Sequence, residues 1–164
     1  MDPATRPATD GGTAGAIARP PLLFLGAVLL GLVFDQLLRL PFPMPRIGMV
    51  EWIIAGLLIL IGIAIFAAGV RGFSRAATPV QGTRPTAVLV VTGIHGWSRN
   101  PIYLGMFLVY FGIGIAVRSP SILILTLPLA VIIRYGVVAR EEAYLERRFG
   151  DAYRDYKARV RRWV

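Results

Sequence analysis

No cysteine occurs among the 164 residues, which excludes disulfides, thiolate zinc sites, iron–sulfur ligation and a cysteine nucleophile. Histidine occurs once, at His95, too rarely for a His-rich metal site or a Ser-His-Asp system, so no metal is expected. A phosphate-binding P-loop and a dinucleotide fingerprint following a strand are also missing. Charge is scarce, with Asp, Glu, Lys and Arg at 16% of the chain, where a soluble domain carries about a quarter. What fills the space is apolar: 55% of the residues are hydrophobic and the mean hydropathy is +0.63. These residues gather into runs comparable with a hydrocarbon core of about 30 Å. The fold class that follows is an all-α membrane protein.

Four spans are expected. Residues 1–20, rich in Pro, Gly, Ala and Thr, lack a sustained apolar face and are expected to form a flexible tail. The first run, Leu22 to Leu38, is long for a signal-peptide core, lacks a small-residue cleavage site and reads as a retained helix. Successive prolines between Leu40 and Pro45 end it. The second, Trp52 to Val70, is almost uninterrupted Ile, Leu, Ala, Gly and Phe. After a long loop from Arg71 to Asn100, the pair Asn100-Pro101 marks the start of a third helix running through Val117. Ser119-Pro120 repeats that signal, so the third and fourth helices form a tight antiparallel hairpin, the fourth running to about Val138 with a bend near Pro128. Three parts result: the tail (1–20), a pair of membrane helices (21–70), and a core of loop, hairpin and C-terminal helices (71–164).

The net charge of +9 and a pI near 11 would suggest nucleic acid in a soluble chain, but here the placement of the basic residues explains them. With four spans, 15 Lys and Arg fall on one side and only Arg39, Arg46 and Arg118 on the other. The positive-inside rule then sets both termini and the long loop in the cytoplasm. Base-stacking aromatics are not interleaved with the arginines, so no nucleic-acid partner is expected. The brevity and Arg/Ala richness fit a bacterial or archaeal chain, and a bacterial inner membrane is expected.

Two polar segments flank the hairpin and should meet in space. In the first, residues 92–105, glycines permit close backbone approach, and the Asn100-Pro101 helix start offers free N–H groups to a carboxylate or phosphate, with Arg99 beside it. The plainer reading is a capping loop with an arginine that snorkels to headgroups, and His95 reads as a hydrogen-bonding loop residue rather than a base. The second segment, residues 140–163, reads as a helix stopped at Gly150 and a shorter one capped by Asp151. Leu145, Phe149, Tyr153, Tyr156, Val160 and Trp163 form a face able to lie on the bilayer. Glu141 and Glu142 are different, because adjacent carboxylates at a membrane-helix exit require cationic partners. Asp35 and Gln36 are the most polar pair inside a span, and Gly112 with Ala116 fits small-residue helix packing.

Together, the order Gly93, Arg99, Asn100, Pro101, Tyr103, Gly105, then a hydrophobic hairpin, then Glu141, Glu142, Leu145, Phe149, Gly150, Tyr153, Tyr156 resembles the isoprenylcysteine carboxyl methyltransferase and phospholipid methyltransferase group of integral-membrane enzymes. The resemblance covers roughly residues 78 to 163. It implies S-adenosylmethionine bound on the cytoplasmic side, between the last two membrane helices, the loop and the C-terminal helix, with a lipophilic acceptor entering from the bilayer. On the same ground Gly93, His95, Arg99, Asn100, Tyr103, Gly105, Glu141 and Glu142 would line the cofactor pocket. Arg147, at a basic position of the family motif, would hold an acceptor carboxylate, with Glu141 aligning Arg147 or the acceptor as a catalytic residue. Asn100 stands where many relatives carry histidine. Carboxylate O-methylation and lipid-amine N-methylation both remain open. Two other readings compete: an NADPH-dependent membrane reductase of the sterol type, and a non-catalytic membrane scaffold.

Overall fold

A computed structural model describes residues 19–38, 48–80 and 86–164. The expected tail and the Leu40–Pro45 turn lie, apart from the last residues before the first helix, outside the described residues. Helix α1 spans Pro20–Leu38, α2 Met49–Arg75 and α3 Pro101–Ala116. Helix α4, Pro120–Val131, continues without a break through a π-wound segment, Ile132–Val138, into α5, Ala139–Phe149, and α6 spans Asp151–Arg159. A short 3-10 turn, Gly93–Gly96, sits in the loop between α2 and α3, and no strand occurs among the described residues.

Three of these helices are long and apolar enough to cross a membrane: Pro20–Leu38, Met49–Arg75 and the continuous Pro120–Phe149. Helix α3, at 16 residues, is the shorter apolar one. The second span therefore runs several residues past its expected limits at both ends. Its last turns leave the apolar run at Arg71 because Phe73 is buried there against His95. The fourth helix is also longer than expected. Thirty residues rise about 45 Å, so its apolar part ends near Val138 and the charged α5 stands beyond the hydrocarbon.

Helices α2 and α3 run antiparallel and touch backbone to backbone. Ala55, Gly62 and Gly69 recur every seven residues on α2, and Gly105 and Gly112 do so on α3. A Cβ on Gly62 would fall 2.7 Å from the Gly105 carbonyl oxygen, and one on Gly105 2.6 Å from that of Gly62. Between helices in lipid, where apolar burial supplies no drive, such close approach provides the dispersion contact that holds them. Gly112 makes the same approach to Ala55. The packing partner of this stripe is thus Ala55 and Gly62 on α2.

The other helix pair is α1 with α4. Gly31 admits Ile122, and Phe24 packs edge-on against Phe107 and Tyr110, whose hydroxyl donates to the Ile122 carbonyl at 2.7 Å. At the hairpin end Ser119 caps α4 through the Ile122 N–H at 3.0 Å, and Arg118 pairs with Glu51 at 3.2 Å. Asp35 accepts from the Ser121 N–H at 3.2 Å, so this intramembrane carboxylate ties α1 to the first turn of α4.

The π-wound segment fixes which face α5 presents. Ile133, Val137, Glu141 and Leu145 are buried at steps of four. In a regular α-helix each such step drifts by about 40°, whereas π winding takes more than four residues per turn and cancels part of that drift. The α5–α6 junction turns at Gly150, whose φ of +52° favours glycine. Gly150 itself holds the N-cap position of α6, and Asp151 does not cap it: its carboxylate accepts from Arg154 instead. Nor does the aromatic face lie free for the bilayer. Tyr144, Leu145, Tyr153 and Tyr156 are buried together with Leu89 and Val91, because the apolar stretch of the long loop covers them.

Gly62→Val is expected to disrupt the α2–α3 crossing and to cost on the order of 1–3 kcal/mol or more, because the new side chain meets backbone that cannot move aside. Gly56→Ala, which faces open space, is expected to be neutral or to stabilise by about 0.4–1 kcal/mol. Thermal unfolding in detergent, followed by circular dichroism, compares the two.

Candidate functional site

The loop preceding α3 is shaped by Gly93, at φ +62°, and by the 3-10 turn that carries His95 inward. The imidazole is 3% exposed, stacks edge-on to Phe73 at 4.9 Å, and passes so close to Gly72 that a Cβ there would lie 3.0 Å from the ring. The Tyr156 hydroxyl donates to the His95 carbonyl at 2.6 Å, pinning the turn to α6. Neither ring nitrogen has a partner. Burial holds the imidazole below its ordinary value of 6.5, so it is neutral at pH 7.

Glutamate 141 comes from the first turn of α5 and is 2% exposed. One carboxyl oxygen accepts from the Tyr103 hydroxyl at 2.7 Å; the other has no partner. Burial pushes this carboxyl up to about 7, opposed by the Tyr103 hydrogen bond and reinforced by neighbouring Glu142. Glu142 has the opposite surroundings. Arg99 contacts it at 3.0 Å and Arg162 grips both of its oxygens at 2.8 and 2.5 Å. Because a buried pair that loses one partner is destabilised by about 3–5 kcal/mol, this cluster requires both segments to be in place.

A cavity of about 770 Å³ opens beside these groups, within the roughly 300–1,000 Å³ typical of small-molecule sites. Its wall is mostly apolar: Phe66, Val70 and Phe73 from α2, Ile102 and Met106 from α3, and Pro20 to Leu22 from the start of α1. The polar lining is His95, Arg99, Asn100, Tyr103 and Glu141, with Arg19 at the edge formed by α1. Seven buried side-chain atoms among the described residues lack a hydrogen-bond partner. Five of them are on His95, Arg99 and Glu141, residues that line both this cavity and the small cleft beside it.

Five of the expected pocket residues, His95, Arg99, Asn100, Tyr103 and Glu141, therefore line one cavity. Glu142 stands behind them in a small cleft with Leu145, Tyr153 and Tyr156, paired with arginine rather than open to the cavity. Gly93 shapes the turn, and Gly105 lies at the α2–α3 crossing; neither lines the cavity. Asn100 is the residue before α3, but its side chain does not cap the helix and donates to the Arg162 carbonyl at 3.0 Å. Arg147 is exposed and outside the lining. Six residues after Glu141, it is turned about 120° around the helix from it. The wall also departs from the expected pair of last membrane helices, since α2 and the start of α1 share its apolar side with α3 and α4 contributes no lining residue. The position of Phe66, Val70 and Phe73 near one end of a long apolar run was the only sequence signal for them. Arg162 carried no signal apart from its charge.

A family model described as phospholipid methyltransferase matches residues 50–152, more than half of the chain and including α2. Among curated proteins, an uncharacterized protein of Haemophilus influenzae is 56% identical over 34 residues, 21% of this chain and 54% of that protein. The protein-S-isoprenylcysteine O-methyltransferase of Saccharomyces cerevisiae is 34% identical over 73 residues, 44% of this chain and 30% of the yeast protein. The chain thus spans about half or less of the length of these relatives. No solved structure matches it significantly. An arginine-marked helix start and Glu141 meet at one cavity in an all-helical membrane chain, and the family match runs across both: the chain belongs to the phospholipid methyltransferase family.

Proposed function

We propose that this protein is an integral-membrane methyltransferase that uses S-adenosylmethionine and methylates a lipophilic acceptor carrying a carboxylate or an amine. The observation that carries the reading is the grouping of unpartnered Arg99, His95 and Glu141 atoms on the wall of one largely apolar cavity. The chemistry of that set fits the cofactor. Arg99 keeps two guanidinium nitrogens free for a carboxylate. The open oxygen of Glu141 accepts from an ammonium group, and the neutral imidazole of His95 can donate or accept without adding charge.

When bound, the cofactor supplies a methyl group on a positively charged sulfur. The chain's own residues bind, orient and keep water out. Tyr103 fixes the rotation of the Glu141 carboxyl through the 2.7 Å bond. Phe66, Val70, Phe73 and Met106 give the cavity a dry wall, where alignment of acceptor and donor does most of the catalytic work. The cavity volume leaves room for the cofactor and the reacting end of an apolar acceptor. Arg19, at its edge, is placed to attract an anionic headgroup. The charge asymmetry of the chain supports a cytoplasmic location for this end and for both termini, and we place the protein in a bacterial inner membrane.

Calorimetric titration of the detergent-purified, folded protein tests the reading. Saturable heat is expected with S-adenosylmethionine and with its demethylated product, and none with NADPH. Arg99→Ala and Glu141→Gln are each expected to weaken binding by at least about tenfold. Absence of saturable heat from the wild type would overturn the proposal and favour the scaffold reading, and unaltered binding in both variants would remove Arg99 and Glu141 from the cofactor site.

The binding should also depend on pH in a defined direction. With its carboxyl near 7 in the free protein, Glu141 becomes an anion as pH rises, and a cationic ligand prefers the anion. Affinity is expected to rise between pH 6 and 7.5, by up to about tenfold per pH unit below the pKa, and to lose this slope in Glu141→Gln. An identical slope in wild type and variant would assign the titration to another group.

A further inference from the structure

Residues 160–164 leave α6 without regular secondary structure, Val160 in extended conformation, and run back across the start of α3. The Arg161 carbonyl accepts from the Arg99 N–H at 3.0 Å, and the Arg162 carbonyl accepts from the Asn100 side-chain amide at 3.0 Å and the Ser98 hydroxyl at 3.5 Å. Trp163 packs edge-on against Phe107 of α3 at 6.3 Å. The family match ends at residue 152, ahead of this strap.

The strap delivers Arg162 to both oxygens of Glu142. That arrangement has a consequence for Arg99. An arginine facing a lone carboxylate closes a two-pronged pair with it. Here both prongs of Glu142 are already taken, so Arg99 is restricted to a single Nη2 contact, and its buried Nε and Nη1, between the cavity and the small cleft, are left without partners among the described residues. The Arg99 side chain is 8% exposed, so water does not substitute freely for the missing partners.

We infer that Arg162 is a positioning residue: by occupying both oxygens of Glu142 it keeps Arg99 from closing on that glutamate and reserves the Arg99 guanidinium for the carboxylate of the bound ligand. The inference rests on the cofactor reading above and extends it to a residue outside the cavity lining. Removing Arg162 frees one oxygen pair of Glu142, and Arg99 then turns away from the cavity to take it. The loss should be specific to a ligand carboxylate and leave contacts to the rest of the cofactor in place.

The test compares two ligands on the full chain in detergent: S-adenosylmethionine, and its decarboxylated analogue, which keeps the sulfonium and the amine. In Arg162→Ala, affinity for the first is expected to fall by roughly tenfold to a hundredfold, the size of effect seen when a partner that orients a metal-ligating side chain is removed. Affinity for the analogue is expected to stay within about twofold of wild type. Arg162→Gln, which keeps bulk and hydrogen-bonding capacity but no charge, should show the same selective loss and serves if the alanine variant does not fold. Equal weakening for both ligands would make Arg162 a structural residue only, and no weakening for either would deny it any role; each overturns the inference. A wild type that binds neither ligand overturns the cofactor reading itself, and this inference with it, so the two failures are distinguishable.

Discussion

Two adjacent carboxylates cannot both be buried as unpaired anions, and the organisation of the site follows from how the chain resolves that constraint at the exit of its last membrane helix. Glu142 stays paired, gripped by Arg99 from the loop and Arg162 from the C-terminal strap. Glu141 is left without a cation and is stabilised instead by the Tyr103 hydroxyl, with its carboxyl raised to about 7 by burial. Segments separated by more than 60 residues are thereby drawn to one place. A single charge left uncompensated in such surroundings would cost several kcal/mol, so the loop, the strap and α5 depend on one another.

The helices beneath set the geometry on which that cluster closes. Glycine-to-glycine contact brings α2 and α3 nearer than side chains would allow, and this sets Phe66, Val70 and Phe73 beside Ile102 and Met106 in the cavity wall. The extra turns of α2 beyond the apolar run matter for the same reason. They carry Phe73 to the height of His95, so the imidazole is buried by a helix that composition alone assigns to the membrane. Helix α5 contributes through winding. By holding Glu141 on the stripe of Ile133 and Val137, the π-wound segment directs a carboxylate to a face that is otherwise apolar.

Much of this was legible in the sequence, and the failures share a cause. Helix starts at Pro101 and Pro120 could be read because proline and the residue before it act locally, and Ser119 does cap α4 as its type suggests. Gly150 breaks the C-terminal helix for an equally local reason. Arg99 and Glu141 stood out as an arginine at a helix start and a carboxylate at a membrane-helix exit, and Tyr103 was implied only by the family resemblance. What could not be read depends on tertiary partners. The Tyr153/Tyr156 face looks like a membrane-facing stripe until Leu89 and Val91 cover it, and Asn100 looks like a capping side chain until the Arg162 carbonyl claims its amide. Arg147 matched a motif position, but helical geometry turns it away from Glu141. The role of α2 in the cavity was hidden for another reason: a uniformly apolar helix has no polar face to mark the side that meets a ligand.

The uneven treatment of the two glutamates also bears on how such a site could exchange a charged ligand without rearrangement. A fully ionised buried carboxylate would need a cation at all times, and the empty site would collapse onto the nearest arginine. A fully neutral one would offer little to an ammonium group. A carboxyl near neutrality lies between the two: at pH 7 it is shared between its protonated and ionised forms, and a cation entering the cavity favours the ionised one. On the proposed function, Glu142 and its two arginines form the permanent charge that fixes Arg99, whereas Glu141 is the adjustable one that answers the ligand. Such a division of labour requires the pair to differ in surroundings although adjacent in sequence. The step of 100° between neighbouring helix positions supplies that difference, setting Glu141 toward Tyr103 and the cavity and Glu142 toward the strap.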